Sequence, residues 1–415
     1  MHISSALAIP AAVIGTLALA AATAPPSVSP PRPATPPPTA YVVNNQSSTV
    51  TPINTVTNKA YSPIKVGAHP RDIVIVPTGK TAYIAGAAGV TPINTITHKP
   101  GKLIAIKGGV ADTAITPDGK TLYVLAYPWD DSQFLDRVIP VSTASGKAGK
   151  PIFLPPGADQ LLVTPNGKTL YVAAAQGTVT PVSTATGKVG KPIRYESTAY
   201  CTDNMAISPN GKTLYAFENG CPNVLFNTVT PISTAANKGG KPIKVGQYPV
   251  AIVFSPNGKT AYVASTGAVL AGGTGRSPQL RAQLPKPVPA TVTPVSIATN
   301  RPGKAIILGP TANSLTIAIT PNGRTVYVGD SWAVAGHSAY AVIPISTVTG
   351  RAGRPVKLGW GPNAMAITAD SRTVYCVGMA IATGKGFVMP VRTATGMVLK
   401  AILVGNSPIA IAIAP

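Results

Sequence analysis

The sequence predicts an all-β protein, a β-propeller of four-stranded antiparallel blades. Three observations carry that expectation: a repeat with a period in the forties, turn residues between successive apolar runs, and very little charge inside those runs. The 415 residues include 40 Gly and 44 Pro, and only 11% of side chains are charged. Neither Gly nor Pro follows a collagen period, so both read as punctuation between many short elements. Hydrophobic residues at 45% exclude a disordered chain, and three Cys exclude a disulfide-stapled scaffold.

Three phrases recur in fixed order from residue 39 onward. Thr-x-Tyr begins at Thr39, Thr81, Thr121, Thr169, Thr213, Thr260, Thr325 and Thr373. Pro-Ile/Val-x-Thr, or a near match, begins at Pro52, Pro92, Pro140, Pro181, Pro231, Pro294, Pro344 and Pro390. An apolar run before a turn ends at Pro77, Pro117, Pro165, Pro209, Pro256, Pro321, Ala369 and Pro415. Each phrase occurs eight times, and successive Thr-x-Tyr starts are 42, 40, 48, 44, 47, 65 and 48 residues apart. A Gly-Lys-Pro-Ile-Lys-Val-Gly segment, clear at 240–246, supplies a fourth strand. The strands of one unit are A (such as 112–116), B (121–125), C (138–142) and D (151–154). Pro-Asp-Gly-Lys at 117–120 and Pro-Asn-Gly-Lys at 256–259 set the A–B hairpin: proline fixes its own φ and glycine takes the positive φ. Each sheet is covered on both faces by its neighbours, which accounts for the scarcity of charge in the strands.

The ends of the repeat complement each other. The repeat opens with strand B at Ala40 to Val43 and closes with strand A at Pro408 to Ala414. Pairing these two segments seals the ring and removes its open edges. The arithmetic gives eight blades, with seven, the commoner number, as the alternative. One feature fits poorly. Proline in strand C, at Pro52, Pro181 or Pro231, lacks a ladder donor, so strand D is expected to be short enough to leave that position unpaired.

Tyr41-Val42-Val43-Asn44 followed by Ser48-Thr49-Val50-Thr51-Pro52-Ile53-Asn54-Thr55 resembles the YVTN-family β-propeller repeat, and the resemblance covers residues 39–415. Where that family usually has Asp before Thr, this chain has Asn54, Ser142, Ser183 or Ser233. The resemblance implies an extracytoplasmic propeller with some lactonase relatives. It specifies fold far better than activity.

Ahead of the repeat, Ile3 to Ala24 is an apolar, uncharged run, and Ala22-Thr23-Ala24 has the small-x-small form of a signal-peptidase site. Pro25 directly after it would hinder cleavage, so Ala18-Leu19-Ala20 is the fallback, and no basic n-region precedes the run. An uncleaved membrane anchor is the alternative for residues 1–24, although Pro10 weakens a straight spanning helix. Residues 25–38 (PPSVSPPRPATPPP) read as an extended spacer. The expected organisation is therefore a signal at 1–24, a spacer at 25–38 and one propeller at 39–415, its last blade completed by 406–415 with 39–66. The protein is expected to be secreted or envelope-associated.

The chain carries a formal charge of +22. In a propeller the A–B and C–D loops share one face. The A–B turns there contribute Lys80, Lys120, Lys168, Lys212, Lys259, Arg324 and Arg372. The C–D loops add 14 cations, from Lys59 to Lys400, against only Asp118 and Asp370. Such a face is expected to hold an anionic wall polymer, polysaccharide or membrane surface through many weak contacts. It lacks the interleaved aromatics that single-stranded nucleic acid requires, so nucleic acid is disfavoured.

The opposite face is nearly balanced and carries the unusual residues: Trp129, Trp332, Trp360, His69, His337, Asp72, Asp112, Asp159 and Asp203, with long B–C insertions at 126–137, 264–290 and 329–341. Aromatic and acidic loop residues around a depression point to ligand or protein binding, with Trp129, Asp130, Trp332, His337, Trp360, His69, Asp72 and Asp112 as candidates. Equally, each Trp could cap its own blade. Asp130, Asp131 and Asp136 lack EF-hand spacing, so no metal is expected. No cofactor is expected either.

Cys201 and Cys221 lie symmetrically about the Asn210-Gly211 turn and are expected to form a disulfide worth about 3 kcal/mol for a loop of roughly 20 residues. Cys376 reads as a buried thiol. Catalysis has a thin inventory: there is no Gly-x-Ser-x-Gly, no His-Glu-x-x-His and no Cys pair at zinc spacing. The main expectation is a non-catalytic binding or scaffold protein, and the alternative is a lactonase-like site built from His69 and His337 with Asp72, Asp112 or Asp330.

Overall fold

The computed structural model describes residues 37–127, 135–174, 177–195, 202–219, 226–267, 288–309, 315–330, 340–380 and 383–414. Those residues contain eight antiparallel sheets of four strands or strand positions each, and no helix among the described residues. Blade 1 runs from its inner strand Pro408–Ala414 through Thr39–Asn44 and Thr49–Asn54 to the outer pieces Lys59–Ala60 and Ile64–Lys65. Blades 2 to 8 follow in chain order, with inner strands Pro70–Ile75, Gly109–Ile115, Ala158–Val163, Thr202–Ile207, Pro249–Phe254, Leu315–Ile319 and Ala364–Ile367. Each inner strand touches the inner strands of the blades before and after it, so the eight form a closed ring.

The ring is sealed as expected. Thr39 pairs with Ala414, Tyr41 with Ala412 and Val43 with Ala410. A separate hydrophobic cluster fills each interface between neighbouring blades, including the one between blades 8 and 1, where Tyr375 and Val377 pack on Ala40, Val42 and Ile53. The core is thus eight similar contacts. Strand B is buried along its length in blade 1, whereas the inner strands of blades 6 to 8 are only half-buried.

The recurring phrases are interblade fasteners. The Tyr41 hydroxyl donates to the Thr95 carbonyl of the next blade at 2.9 Å, Tyr83 to Thr143 at 3.3 Å and Tyr123 to Thr184 at 3.3 Å. Tyr375 of blade 8 donates to the Thr55 carbonyl of blade 1 at 3.1 Å, so the closing interface carries the same bond. Each such hydroxyl is carried into the interface by an apolar ring, and a partner there avoids the cost of a buried unpaired donor.

The prolines of strand C are accommodated by a break in strand D. The carbonyls of Pro92, Pro140 and Pro181 accept from the Gly101, Gly149 and Gly190 N–H groups at 2.7–2.8 Å. A residue's N–H and C=O point to the same side of a strand, so the missing donor faces D. There the outer strand is reduced to two short contacts, as with Lys238–Gly239 and Ile243–Lys244 beside Thr228–Ser233. No ladder partner is left waiting for an N–H that proline lacks.

Candidate functional site

The A–B turn builds a rigid platform for its cation. In blade 3 the Thr116 hydroxyl donates to Asp118 Oδ1 at 2.6 Å, the Lys120 N–H donates to the same oxygen at 3.0 Å, and the Thr121 N–H reaches Thr116 Oγ1 at 3.1 Å. Asn166, Asn210, Asn257, Asn322 and Asp370 repeat this pattern ahead of Lys168, Lys212, Lys259, Arg324 and Arg372. Gly119 takes φ 70° at the turn, the left-handed region glycine enters at least cost, and Ser371 takes the equivalent place at 62°.

Lys80, Lys120, Lys168, Lys212, Lys259, Arg324 and Arg372 are all exposed. Two of them have a carboxylate close by: Asp118 lies 4.0 Å from Lys120, and Asp370 lies 3.8 Å from Arg372. Hydrogen bonds from Thr116 and the Lys120 N–H hold the Asp118 carboxyl below its usual range, so it stays ionised on this face. Exposed pairs of this kind cost little to break, so both cations remain available to an outside anion.

The C–D turns lie against these A–B turns. The hydroxyls of Thr143, Thr184 and Thr234 donate to the carbonyls of Gly119, Gly167 and Gly211 at 2.6 Å. The two sets of cations therefore share one surface. Between neighbouring blades that surface is grooved. A groove of about 930 Å³ between blades 2 and 3 is bordered by Lys99, Lys102 and Lys147. Another of about 730 Å³ between blades 5 and 6 is bordered by Lys212, Lys238, Lys241, Lys244 and Arg301.

The opposite face handles charge differently. Asp72 and Asp112 sit half-buried on the inner strands of blades 2 and 3. The Asp72 carboxylate accepts a hydrogen bond from the Thr113 hydroxyl of the next blade, and Asp112 Oδ2 accepts from the Leu161 N–H of the next blade at 2.6 Å. Gln160 continues the series, its Oε1 accepting from the Met205 N–H at 2.6 Å. These side chains satisfy groups on the edge of the adjoining inner strand that no fifth strand covers. Burial raises both carboxyls. Asp72 adds like-charge repulsion to Asp112, which is pushed up to about 7. Tyr127, close to Asp159, Asp136 and Asp112, is pushed up to about 12 by burial first and by those carboxylates second.

Of the other expected site residues, His69 is exposed in the loop leading to the inner strand of blade 2, at φ 47°. Among the described residues no hydrogen bond joins it to Asp72 or Asp112. Trp360 lies over blade 8: its ring stacks on Phe387 at 6.0 Å and covers Gly378, where a Cβ would clash with Trp360 Cε3. Trp129, Asp130, Asp131, Trp332 and His337 lie outside the described residues, as do Cys201 and Cys221. Cys376 is buried, and burial raises its thiol to about 12. Reading the sequence one motif at a time missed Gln160. Aligning the repeats five residues ahead of the A–B turn would have found it, because that register gives Asp72, Asp112, Gln160 and Asn204, then Ala251, Thr316, Ala364 and Ala410.

No family model and no curated protein matches this sequence. The fold itself has many likenesses among solved structures. A dihydro-heme d1 dehydrogenase, NirN, in complex with DHE superposes with a TM-score of 0.68 at 14% identity, covering 94% of this chain and 78% of that one. Hydrazine synthase from Kuenenia stuttgartiensis gives 0.56 at 21% identity over 78% of this chain and 96% of that one. A functionally unknown protein from Desulfotomaculum acetoxidans gives 0.57 at 16% identity over 90% and 98%. At these identities the likeness is one of fold, and the chain is an eight-bladed β-propeller.

Proposed function

We propose that this protein is an exported, non-catalytic binding protein with a repeat of the YVTN type, whose cationic face takes anionic polymers or surfaces of the cell envelope. The opposite face, with its Trp- and Asp-bearing loops, would serve a further ligand or a protein partner. The observation that supports the reading is the exposure of all seven A–B turn cations on hydrogen-bonded turns, beside the C–D cations and with few acids among them. A polyanion meeting that array gains from many contacts without having to desolvate any one charge fully. Enzymes share this fold, as two of the structural neighbours show by name, so the fold does not choose between catalysis and binding. The engagement of Asp72 and Asp112 in bonds to the next blade favours a structural role for them.

The test is titration of the full chain with a soluble anionic polysaccharide at two ionic strengths. Binding should weaken steeply with salt. Replacing Lys120, Lys168, Lys212 and Lys259 with Glu should weaken it about a thousandfold, at roughly 1 kcal/mol for each cation removed from an anionic surface. Equal binding by that variant removes the proposal.

A further inference from the structure

The tips of the C–D turns differ around the ring. Val56, Ile96 and Val348 occupy the apex in blades 1, 2 and 7, with 72, 54 and 83% of their surface exposed. The same position holds Ala144, Ala185, Ala235 and Ala298 in blades 3 to 6, and Ala394 in blade 8. Blade 8 presents Met397 three residues further on, 54% exposed. Large apolar tips therefore stand in blades 7, 8, 1 and 2, which are consecutive, and among the described residues none stands on a C–D turn of blades 3 to 6. The remaining exposed large apolar residues, Tyr61, Leu103, Phe153, Ile307 and Leu403, lie in or beside the outermost strand pieces.

Scattered exposed apolar residues are ordinary, but a contiguous arc of them on a cationic surface is not. Two of the tips are held by their own turns: Asn54 Oδ1 accepts from the Val56 and Thr57 N–H groups at 2.9 and 3.0 Å, and Asn94 does the same for Ile96 and Thr97. The A–B and C–D turns of the same four blades carry Lys59, Lys80, Lys99, Arg324, Arg351 and Arg372, all exposed. Pro38 is anchored beside one of these tips. The Pro38 carbonyl accepts from the Thr55 N–H at 3.0 Å and the Thr55 hydroxyl at 2.7 Å, one residue from Val56.

We infer that the arc of blades 7, 8, 1 and 2 docks on an anionic lipid bilayer, with Val56, Ile96, Val348 and Met397 entering the headgroup layer and the surrounding Lys and Arg facing lipid phosphates. A soluble polyanion has no use for apolar tips, whereas a bilayer surface rewards apolar insertion and positive charge together. This rests on the proposed function, since it names one of the surfaces the cationic face would take.

The test is flotation of the full chain with phosphatidylcholine vesicles, with and without phosphatidylglycerol, beside titration with the soluble polysaccharide. Residues 3–24 carry no charge, so any insertion by them is common to both vesicle types and cancels in the comparison. The variant V56S/I96S/V348S/M397S changes only exposed tips. It should bind phosphatidylglycerol vesicles tenfold or more weakly than the parent, with polysaccharide binding unchanged, while A144S/A185S/A235S/A298S should bind both as the parent does. Parental vesicle binding by the tip variant, or equal losses in the two variants, overturns the inference. Polysaccharide binding with no preference for phosphatidylglycerol overturns it and leaves the proposed function standing. Binding to neither probe overturns both.

Discussion

The two faces of this propeller are built from the same repeat and treat charge in opposite ways. On the A–B and C–D side, Lys120 and its equivalents project from turns whose own groups are already hydrogen-bonded, so the ammonium groups stay solvated. On the other side, Asp72 and Asp112 are drawn inward and accept bonds from the adjoining blade, and burial raises their affinity for protons. Charge left in water at a turn can serve an outside partner. Charge taken into the inner ring is occupied with holding blades in register and exerts a cost that depends on pH.

The largest expected effect separates the faces outright. The four-site Lys→Glu variant at Lys120, Lys168, Lys212 and Lys259 should lose anion binding by about three orders of magnitude yet keep its thermal midpoint within a degree or two, since exposed charges contribute little to stability. A variant that also unfolds would show the cations to be structural and the contrast to be misplaced.

Next in size is the disulfide expected from the symmetric spacing of Cys201 and Cys221 about the Asn210-Gly211 turn. Peptide mapping without reductant should recover the two as one cross-linked species, and reduction should then cost about 3 kcal/mol in denaturant. Recovery of both as free thiols would remove that support for export.

The inner carboxylates give an effect of similar size with a definite sign. Asp112 has a folded pKa near 7, above the ordinary value of 3.8, so its contribution to stability is fully present below about pH 4 and is lost as pH rises through 7. Asp112→Asn keeps an acceptor for the Leu161 N–H and removes the charge. Denaturant curves should therefore place the variant above the parent at pH 8, relative to their difference at pH 4, by up to a few kcal/mol at roughly 1.4 kcal/mol per pKa unit. A pH-independent difference would show that Asp112 does not titrate in this range.

The smallest effect concerns the seal. Tyr375→Phe deletes the hydroxyl that bonds the Thr55 carbonyl and Asn58 Oδ1 across the closing interface, and Tyr123→Phe deletes the corresponding bond between blades 3 and 4. Each should cost about 1 kcal/mol, measured as a lowered denaturation midpoint. A much larger loss at Tyr375 would mark the closing blade as the weak point of the ring.

Much of the architecture was legible because it is periodic. The Thr-x-Tyr phrase marks strand B, the Pro-Asn-Gly-Lys phrase marks the A–B turn, and the mismatched ends, Thr39 in a B strand and Ala414 in an A strand, can satisfy their edges only by pairing. The misfit of Pro52, Pro181 and Pro231 was also visible and correctly pointed to an abbreviated strand D. On the cationic face the exposure of the A–B turn cations was legible, because turn position by itself determines exposure. On the other face, sequence placed Asp72, Asp112 and Trp360 in loops or strand ends but could not say what each would touch.

Local sequence thus determined the number of blades, their strand order and the side on which each turn lies, because backbone preferences and apolar periodicity act over a few residues. Tertiary structure decided the rest. Tyr375 finds Thr55 across 320 residues of chain, Asp112 finds the Leu161 N–H across 49, and the apolar tips of blades 7 and 8 become neighbours of those in blades 1 and 2. These relations depend on which blades the closed ring brings together, and closure is a property of the whole chain.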